Sequence, residues 1–274
     1  MTAVSPLLPL IVEPDRLEAA LGHPRLLIVD LCSRENYQTS HIPGAVHLEY
    51  ARIVDQRPPV MGLLPDAARL ADVLGALGVS SDPHVVAYDC EGGGKASRLL
   101  WTLDAIGHRH FSLLNGGLVA WIEEGHRVNG SPVTPTRNTC PIMPNQDARA
   151  DKAYIRAQLG RKDLGLLDAR SPGEYRGTDL RAARGGHIPG ARNIEWTDAL
   201  DKTNHLRLKP VEQLHAVLQA AGLTPDKEII TYCHSHHRSA LWYVVLKALG
   251  YNRVRGYPGS WSDWGNDTAT PIEQ

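Results

Sequence analysis

Residues 26–50 read LLIVDLCSRENYQTSHIPGAVHLEY, and residues 166–196 read LLDARSPGEYRGTDLRAARGGHIPGARNIEW. Each stretch has an apolar run ending in aspartate (Asp30, Asp168), then a serine, an E-x-Y-like stretch and finally His-Ile-Pro-Gly-Ala. The two histidines, His41 and His187, are 146 positions apart, whereas the two aspartates are 138 apart. The second copy therefore carries about eight extra residues, within Arg176–Gly186.

Working outward, a second matched block follows in each half. VVAYDCEGGGKASRLLWTLDAIGH at 85–108 pairs with IITYCHSHHRSALWYVVLKALGY at 229–251, so that Asp89 stands opposite Cys233. Trp121 then matches Trp264, each after a Gly-containing turn. Matched blocks in one shared order mean two copies of a single domain, not a short-period solenoid. The reading divides the chain into domain 1 at 1–128, a linker at 129–148 and domain 2 at 149–274. The linker NGSPVTPTRNTCPIMPNQDA is rich in proline and lacks an apolar period.

Within each copy the periods predict an α/β domain, a small parallel sheet with helices on both faces. Short apolar runs at 26–29, 84–88, 164–167 and 228–232 fit buried strands. Between them, 66–77 and 210–221 carry apolar residues at helical spacing, each followed by a glycine, Gly78 and Gly222. Strands alternating with helices give right-handed crossovers.

The composition excludes several functional classes. With 29 Lys+Arg and 30 Asp+Glu, the net charge of −1 gives no bulk attraction to nucleic acid or to an anionic membrane. No apolar run approaches the ~18–20 residues that span a bilayer. The N-terminal MTAVSPLLPLIVEPDR has no basic region, and Pro6 and Pro9 break its apolar stretch, so a cytoplasmic location is expected. The four cysteines, Cys32, Cys90, Cys140 and Cys233, form no C-x-x-C pair and read neither as a disulfide framework nor as a thiolate zinc site.

Chemistry points to Cys233. The strand 228–232 ends there, the loop His234-Ser235-His236-His237-Arg238 follows, and an apolar helix is predicted from about Ser239 to Leu249. Ligands of open α/β sheets bind beyond the C-terminal strand ends. A cysteine just before a helix meets unsatisfied amide N–H groups and the positive end of the dipole. Both favour the thiolate, as does the Arg238 charge. A metal reading of Cys233 with His234, His236 and His237 is disfavoured, because neighbouring histidines on one tight loop diverge too far to surround a tetrahedral ion. Domain 1 has Asp89 at the matching position and reads as non-catalytic; Cys90, one position late, reads as an ordinary small residue.

These residues resemble the tandem-domain rhodaneses, the thiosulfate and 3-mercaptopyruvate sulfurtransferases. The resemblance rests on Asp-Ala-Arg-Ser at 168–171, Gly-His-Ile-Pro-Gly-Ala at 186–191, the loop at 233–238, Gly-Ser-Trp-Ser-Asp-Trp at 259–264 and a first copy that has Asp89, not cysteine, at the position matching Cys233. The loop Cys-His-Ser-His-His-Arg-Ser is similar to that of bacterial thiosulfate sulfurtransferases. The resemblance implies a double displacement in which the Cys233 thiolate takes sulfane sulfur from thiosulfate as a persulfide and passes it to cyanide or a thiol. It implies no metal and no organic cofactor. The substrate-binding candidates are His234, Ser235, His236, His237, Arg238 and Trp196, with Asp168, Arg170 and Ser239 in support. His187 is read as shaping a turn.

Two positions depart from the thiosulfate-using relatives. Ser235 and Glu174 stand where the mammalian members carry cations, which leaves Arg238, His236 or His237 to hold an anionic donor, Arg238 being the one permanent cation of the loop. The loop also differs from the Cys-Gly-Ser-Gly type of mercaptopyruvate enzymes. Alternative functions are 3-mercaptopyruvate sulfurtransferase and a persulfide carrier that serves a thiol-bearing acceptor protein. A cysteine-dependent phosphatase is a further rival, but its C-x5-R loop is one residue longer than the C-x4-R spacing from Cys233 to Arg238.

Overall fold

The computed structural model describes residues 5–274; Met1–Val4, with which the expected first domain begins, lie outside the described residues. In chain order the strands are β1 (Ile11–Val12), β2 (Leu26–Asp30), β3 (Val46–His47), β4 (Asp55–Arg57), β5 (Val60–Leu63), β6 (His84–Tyr88), β7 (Phe111–Leu114), β8 (Leu164–Asp168), β9 (Arg192–Asn193), β10 (Leu200–Asp201), β11 (Arg207–Leu208), β12 (Glu228–Tyr232) and β13 (Val254–Gly256). The α-helices are α1 (Pro14–Glu18), α2 (Arg34–Thr39), α3 (Ala67–Ala76), α4 (Gly94–Ala105), α5 (Gly117–Glu123), α6 (Lys152–Gln158), α7 (Pro172–Arg176), α8 (Val211–Ala220), α9 (Arg238–Ala248) and α10 (Ser260–Trp264).

The chain forms two compact units that are not contiguous in sequence. The first takes the chain through Ile53, then Pro65–Pro144 and Asp201–Leu208; the second takes Val54–Leu64, Asn145–Leu200 and Lys209–Gln274. Each unit is thus completed by a short segment from the other half of the sequence. Most of the proline-rich stretch expected as a linker is packed within the first unit: the amide of Asn138 donates to the carbonyl of Gly75, and that of Met143 to Ile106.

The first unit holds a five-stranded parallel sheet in the order β1-β7-β6-β2-β3, and the second a four-stranded parallel sheet in the order β13-β12-β8-β9. Helices flank both. Strand β12 is buried along its whole length, which accounts for its unbroken apolar run. It lies between β8 and β13, with Tyr232 level with Asp168 and Thr231 level with Gly256.

Local chemistry sets the element boundaries. Asp66 caps α3 by accepting the Arg69 amide at 2.8 Å, so the predicted segment at 66–77 is the helix plus its cap. Ser171 and Glu174 form a reciprocal capping box at the start of α7. The His-Ile-Pro-Gly-Ala motif does the same structural work twice. His41 stacks on Tyr37 with ring centroids 4.1 Å apart, and His187 on Tyr175 at 3.7 Å. In each copy the histidine Nδ1 meets the carbonyl of its tyrosine. The next amide, Ile42 or Ile188, donates to the hydroxyl of the central-strand tyrosine, Tyr88 or Tyr232. The motif therefore ties a turn to the middle of the sheet.

The second unit's core gathers Ile155, Leu166, Ile188, Ile230, Tyr232, Trp261 and Trp264. Ile230 is fully buried in the central strand, level with Leu166 and Arg255. Ile230→Ala is expected to cost about 2–5 kcal/mol by transfer and cavity terms together. At a urea slope of ~3 kcal/mol/M that lowers the midpoint of this unit's unfolding by roughly 0.7–1.7 M. Urea titration followed by tryptophan fluorescence checks it, and a midpoint unchanged from wild type would show that Ile230 is not part of a close-packed core.

Candidate active site

Cys233 follows directly on β12 and is 1% exposed. Its own amide donates to Oγ of Ser260 at 3.2 Å, as does the amide of His236 at 3.1 Å, while Ser260 Oγ donates to the carbonyl of Tyr257 at 2.7 Å. One hydroxyl thus pins both sides of the turn. Ser260 adopts φ 49°, a left-handed conformation costly for a residue with a side chain, and His236 in the loop has φ 55°. Trp261, which follows Ser260, donates its amide to the Cys233 carbonyl at 3.0 Å. With the Ser262 amide donating to the His234 carbonyl at 3.1 Å, four hydrogen bonds clamp the loop from the β13–α10 side.

Burial alone would raise the pKa of the Cys233 thiol. The positive charge of Arg238, the Ser239 hydroxyl and the amides of Ser239 and Ser235 outweigh it, so the pKa lies below the ordinary thiol range. These donors sit at the N-terminus of α9, an eleven-residue helix whose dipole acts in the same sense. An anion at Sγ is what this turn is built to hold.

The structure brings most of the sequence-derived residues to this turn, in distinct settings. His234 and Ser235 are half-buried on the loop, and His237 caps α9, also half-buried. His236 is fully buried, its Nδ1 2.8 Å from Ser239 Oγ, so its ring braces the turn from inside. Burial and then the positive field of Arg238, Arg181 and Arg170 lower the His234 pKa, with Glu174 opposing the shift, so this imidazole is neutral at pH 7. Trp196 begins a short 3-10 turn packed on α9 and is half-buried, whereas the other five tryptophans are fully buried.

Asp168 and Arg170 lie beneath the loop as a buried pair. The guanidinium Nη2 reaches Asp168 Oδ2 at 2.6 Å and donates to the Gly186 carbonyl at 2.8 Å. Its plane covers the Trp261 ring at 4.4 Å. Asp168 on β8 is thereby linked through Arg170 and Trp261 to the backbone of Cys233 itself.

Arg238 is not a free cation. It makes a two-pronged salt bridge to Glu174, with Nη1–Oε2 at 2.6 Å and Nη2–Oε1 at 2.9 Å. Glu174 is buried, and Arg181 approaches its Oε1 at 3.2 Å from the solvent side. Burial opposes ionisation of Glu174, but Arg238 overrides it and holds the carboxyl pKa down to about 2. Sequence reasoning met Glu174 as a missing positive charge; in the folded chain it is the partner that orients the positive charge nearby. The capping-box pattern announced its place at the start of α7, but nothing local announced its partner 64 residues away.

The hairpin β4–β5 was not anticipated as part of the site. The Met61 amide donates to Ser262 Oγ at 2.9 Å, and Gly62, at φ 74°, lies against the loop. A Cβ on Gly62 would come within 2.1 Å of the Ser235 carbonyl oxygen. Glycine is required there both by conformation and by contact.

Taken as a class, this is a tandem α/β protein that presents one buried, anion-stabilised cysteine at the end of a parallel strand. The chain belongs to the rhodanese family: the rhodanese-like domain matches it twice, at residues 13–124 and 151–267. It is 46% identical over 266 residues to a thiosulfate sulfurtransferase of Pseudomonas aeruginosa, covering 97% of each chain. It is 32% identical to the sulfur carrier protein TtuD of Thermus thermophilus, covering 96% of this chain and 95% of the relative. Among solved structures, the anaerobic ergothioneine biosynthesis enzyme from Chlorobium limicola superposes with a TM-score of 0.84 at 21% identity, over 97% of this chain and 70% of that one, and so shares the fold.

Because the thiol pKa is depressed, Cys233 keeps its thiolate as pH falls until that lowered pKa is crossed. The rate of alkylation by iodoacetamide is expected to have its midpoint below the usual thiol value of about 8.5. Ser239→Ala, which removes one donor, should move the midpoint up. A midpoint at or above 8.5 in the unmodified chain would contradict the electrostatic account.

Proposed function

We propose that this chain is a thiosulfate sulfurtransferase acting through a persulfide on Cys233. The observation that carries the reading is the buried Cys233 at the end of β12, set at the N-terminus of α9, where Arg238, the Ser239 hydroxyl and the amides of Ser235 and Ser239 favour its thiolate. The family membership and the names of its relatives support the same chemistry.

In the first half-reaction the Cys233 thiolate attacks the outer sulfur of thiosulfate. A sulfur–sulfur bond to Cys233 forms, the sulfur–sulfur bond of thiosulfate breaks, and sulfite leaves with its electron pair. In the second, cyanide or a thiolate attacks the outer persulfide sulfur, and the Cys233 thiolate returns to the turn. The amides and the Ser239 hydroxyl meet negative charge on sulfur in both resting states, so little reorganisation is needed between them. Arg238, with donors beyond the two given to Glu174, holds the sulfonate end of the donor. His234, Ser235 and His237 line the approach, Trp196 flanks it, and His236 with Asp168, Arg170 and Ser239 fixes the loop.

No helix among the described residues is long and apolar enough to cross a membrane. A cytoplasmic setting is proposed because a nucleophilic thiolate and three further free thiols persist in a reducing compartment. The likeness to a named sulfur carrier favours one second reading, delivery of the persulfide sulfur to a thiol-bearing acceptor protein. Fast turnover with cyanide or small thiols supports the enzyme reading; slow turnover with them but rapid transfer to a protein thiol supports the carrier.

Cys233→Ser is expected to abolish transfer, while Cys140→Ser leaves most of it. Incubation with thiosulfate should add one sulfur, about 32 Da, to the intact mass, and cyanide should remove it. Normal turnover by Cys233→Ser would sink the mechanism.

The Arg238 role needs a paired design. Arg238→Ala alone strands a buried carboxylate, with a destabilisation on the order of 3–5 kcal/mol. In a Glu174→Gln background that penalty is absent. There, loss of Arg238 should slow loading from thiosulfate by about 30- to 1,000-fold, yet leave cyanide discharge of preloaded enzyme within about threefold. Glu174→Gln by itself should lower KM for thiosulfate, since it removes a like charge and frees the guanidinium fork. Native loading by the double variant would place the donor clamp elsewhere.

A further inference from the structure

The first unit repeats the strand-end turn with different chemistry. Asp89 stands at the position of Cys233, and its carboxylate accepts the amides of Glu91 at 3.0 Å, Gly93 at 2.8 Å and Ala96 at 3.0 Å. The amide ring that would take a thiolate is filled by the protein's own carboxylate. Two thiols appear just outside it. Cys32 occupies the place that Arg170 has in the second unit, and Cys90 the place of His234.

Cys90 is half-exposed, and Asn36 Nδ2 donates to its Sγ at 3.5 Å. Buried Cys32 packs in the core cluster against which Cys90 lies, and the parallel register of β2 with β6, Asp30 level with Tyr88, brings the two thiols to matching positions just past the neighbouring strand ends. Cys90 opens onto a cleft of about 270 Å³ whose other walls include Asn36, Leu118, Val119 and Ile122. The accessible thiol therefore has a pocket in front of it and a second thiol behind it.

We propose that Cys90 and Cys32 form a reactive dithiol site in the first unit, where Cys90 reduces a small apolar organic hydroperoxide held in the cleft and Cys32 resolves it as an intramolecular disulfide. The Cys90 thiolate attacks the terminal peroxide oxygen; a sulfur–oxygen bond forms, the oxygen–oxygen bond breaks, and the alcohol leaves after taking a proton. Cys90 is now a sulfenic acid, oxidised by two electrons. The Cys32 sulfur then attacks Cys90 Sγ, its proton goes to the departing hydroxide, and water leaves as the disulfide forms. A thiol reductant resets the pair.

The electrostatics agree with this division of labour. The hydrogen bond from Cys32 lowers the Cys90 pKa most, burial opposes it, and Asn36 and the Lys95 charge add to the lowering while Asp89 works against it, giving about 7. The same hydrogen bond, burial and the neighbouring Asp30 and Asp89 push the Cys32 thiol up, so it stays protonated until Cys90 has reacted. Glu91 pairs with Lys95 at 2.9 Å and moderates its field.

The site is independent of Cys233, so its test uses both the unmodified chain and Cys233→Ser. Each is treated with a few equivalents of cumene hydroperoxide at pH 7, blocked by alkylation and mapped by peptide mass. A Cys32–Cys90 cross-linked peptide is expected in both, reversible by dithiothreitol and absent from Cys90→Ser. Cys32→Ser should instead accumulate Cys90 sulfenic acid, trapped by dimedone. Weighing thiolate fraction against nucleophilicity, Cys90 should alkylate about threefold faster at pH 7 than a thiol of ordinary pKa. Oxidation confined to Cys233 or Cys140, with Cys32 and Cys90 both still alkylatable, would overturn the proposal. So would a Cys90 sulfenic acid in the unmodified chain that never cross-links to Cys32.

Discussion

A parallel strand that ends in a tight turn at a helix start leaves several amide N–H groups pointing at one spot, and that spot demands an anion. Both halves of this chain meet the demand with the residue that follows the central strand. In the first unit Asp89 supplies a carboxylate bound by three amides. In the second, Cys233 supplies a sulfur facing the amides of Ser235 and Ser239. The carboxylate satisfies the ring permanently and leaves it inert. In the proposed reaction the sulfur satisfies it and also acts as the nucleophile, because a thiolate that takes up a sulfane sulfur leaves negative charge on the outer sulfur. The residue that follows the central strand thus decides whether the amides face a fixed carboxylate or a sulfur.

The supports beneath the two turns diverge in step with that difference. Arg170 pairs with Asp168, covers Trp261 and reaches the Gly186 carbonyl, so the turn at Cys233 rests on a buried, fully engaged cation. Asp30 has no such arginine, and burial raises its pKa. Paired with Asp168, Arg170 braces the turn through Trp261 and the Gly186 carbonyl, while the charge that draws down the Cys233 pKa comes from Arg238. Where the anion is a carboxylate already held by three amides, that brace is absent, and Cys32 takes the position.

What could be read from the chain alone follows from how far apart the determinants lie. The duplication, the strand at 228–232 and the position of Cys233 rest on contiguous residues with a fixed order, and these are the features the fold reproduces. The helix bounds shift by one residue because caps such as Asp66 belong to the pattern but not to the helix. The pairing of Glu174 with Arg238 and the seating of Gly62 against Ser235 escaped notice for a common reason. Each joins segments distant in sequence, and neither the capping-box pattern around Glu174 nor the stretch around Gly62 names the partner it will meet. The exchange of segments 54–64 and 201–208 between units is invisible for the same reason, since a short hairpin carries no mark of the surface it will cover.

The Arg238–Glu174 fork explains why the cation beside Cys233 is tempered, not maximal. A lone guanidinium next to the thiolate would depress its pKa further, and nucleophilicity falls as the pKa falls. It would also grip the product: sulfite is a compact anion, and a desolvated, uncompensated arginine would hold it after the sulfur–sulfur bond has broken. With Glu174 drawing on two of its five donors, Arg238 keeps a fixed orientation and a reduced net field. In the proposed reaction, a fixed orientation would present the remaining donors to the sulfonate, and the reduced field would let sulfite go. The residue that looked like a lost substrate contact is better understood as the one that sets how strongly the remaining cation acts.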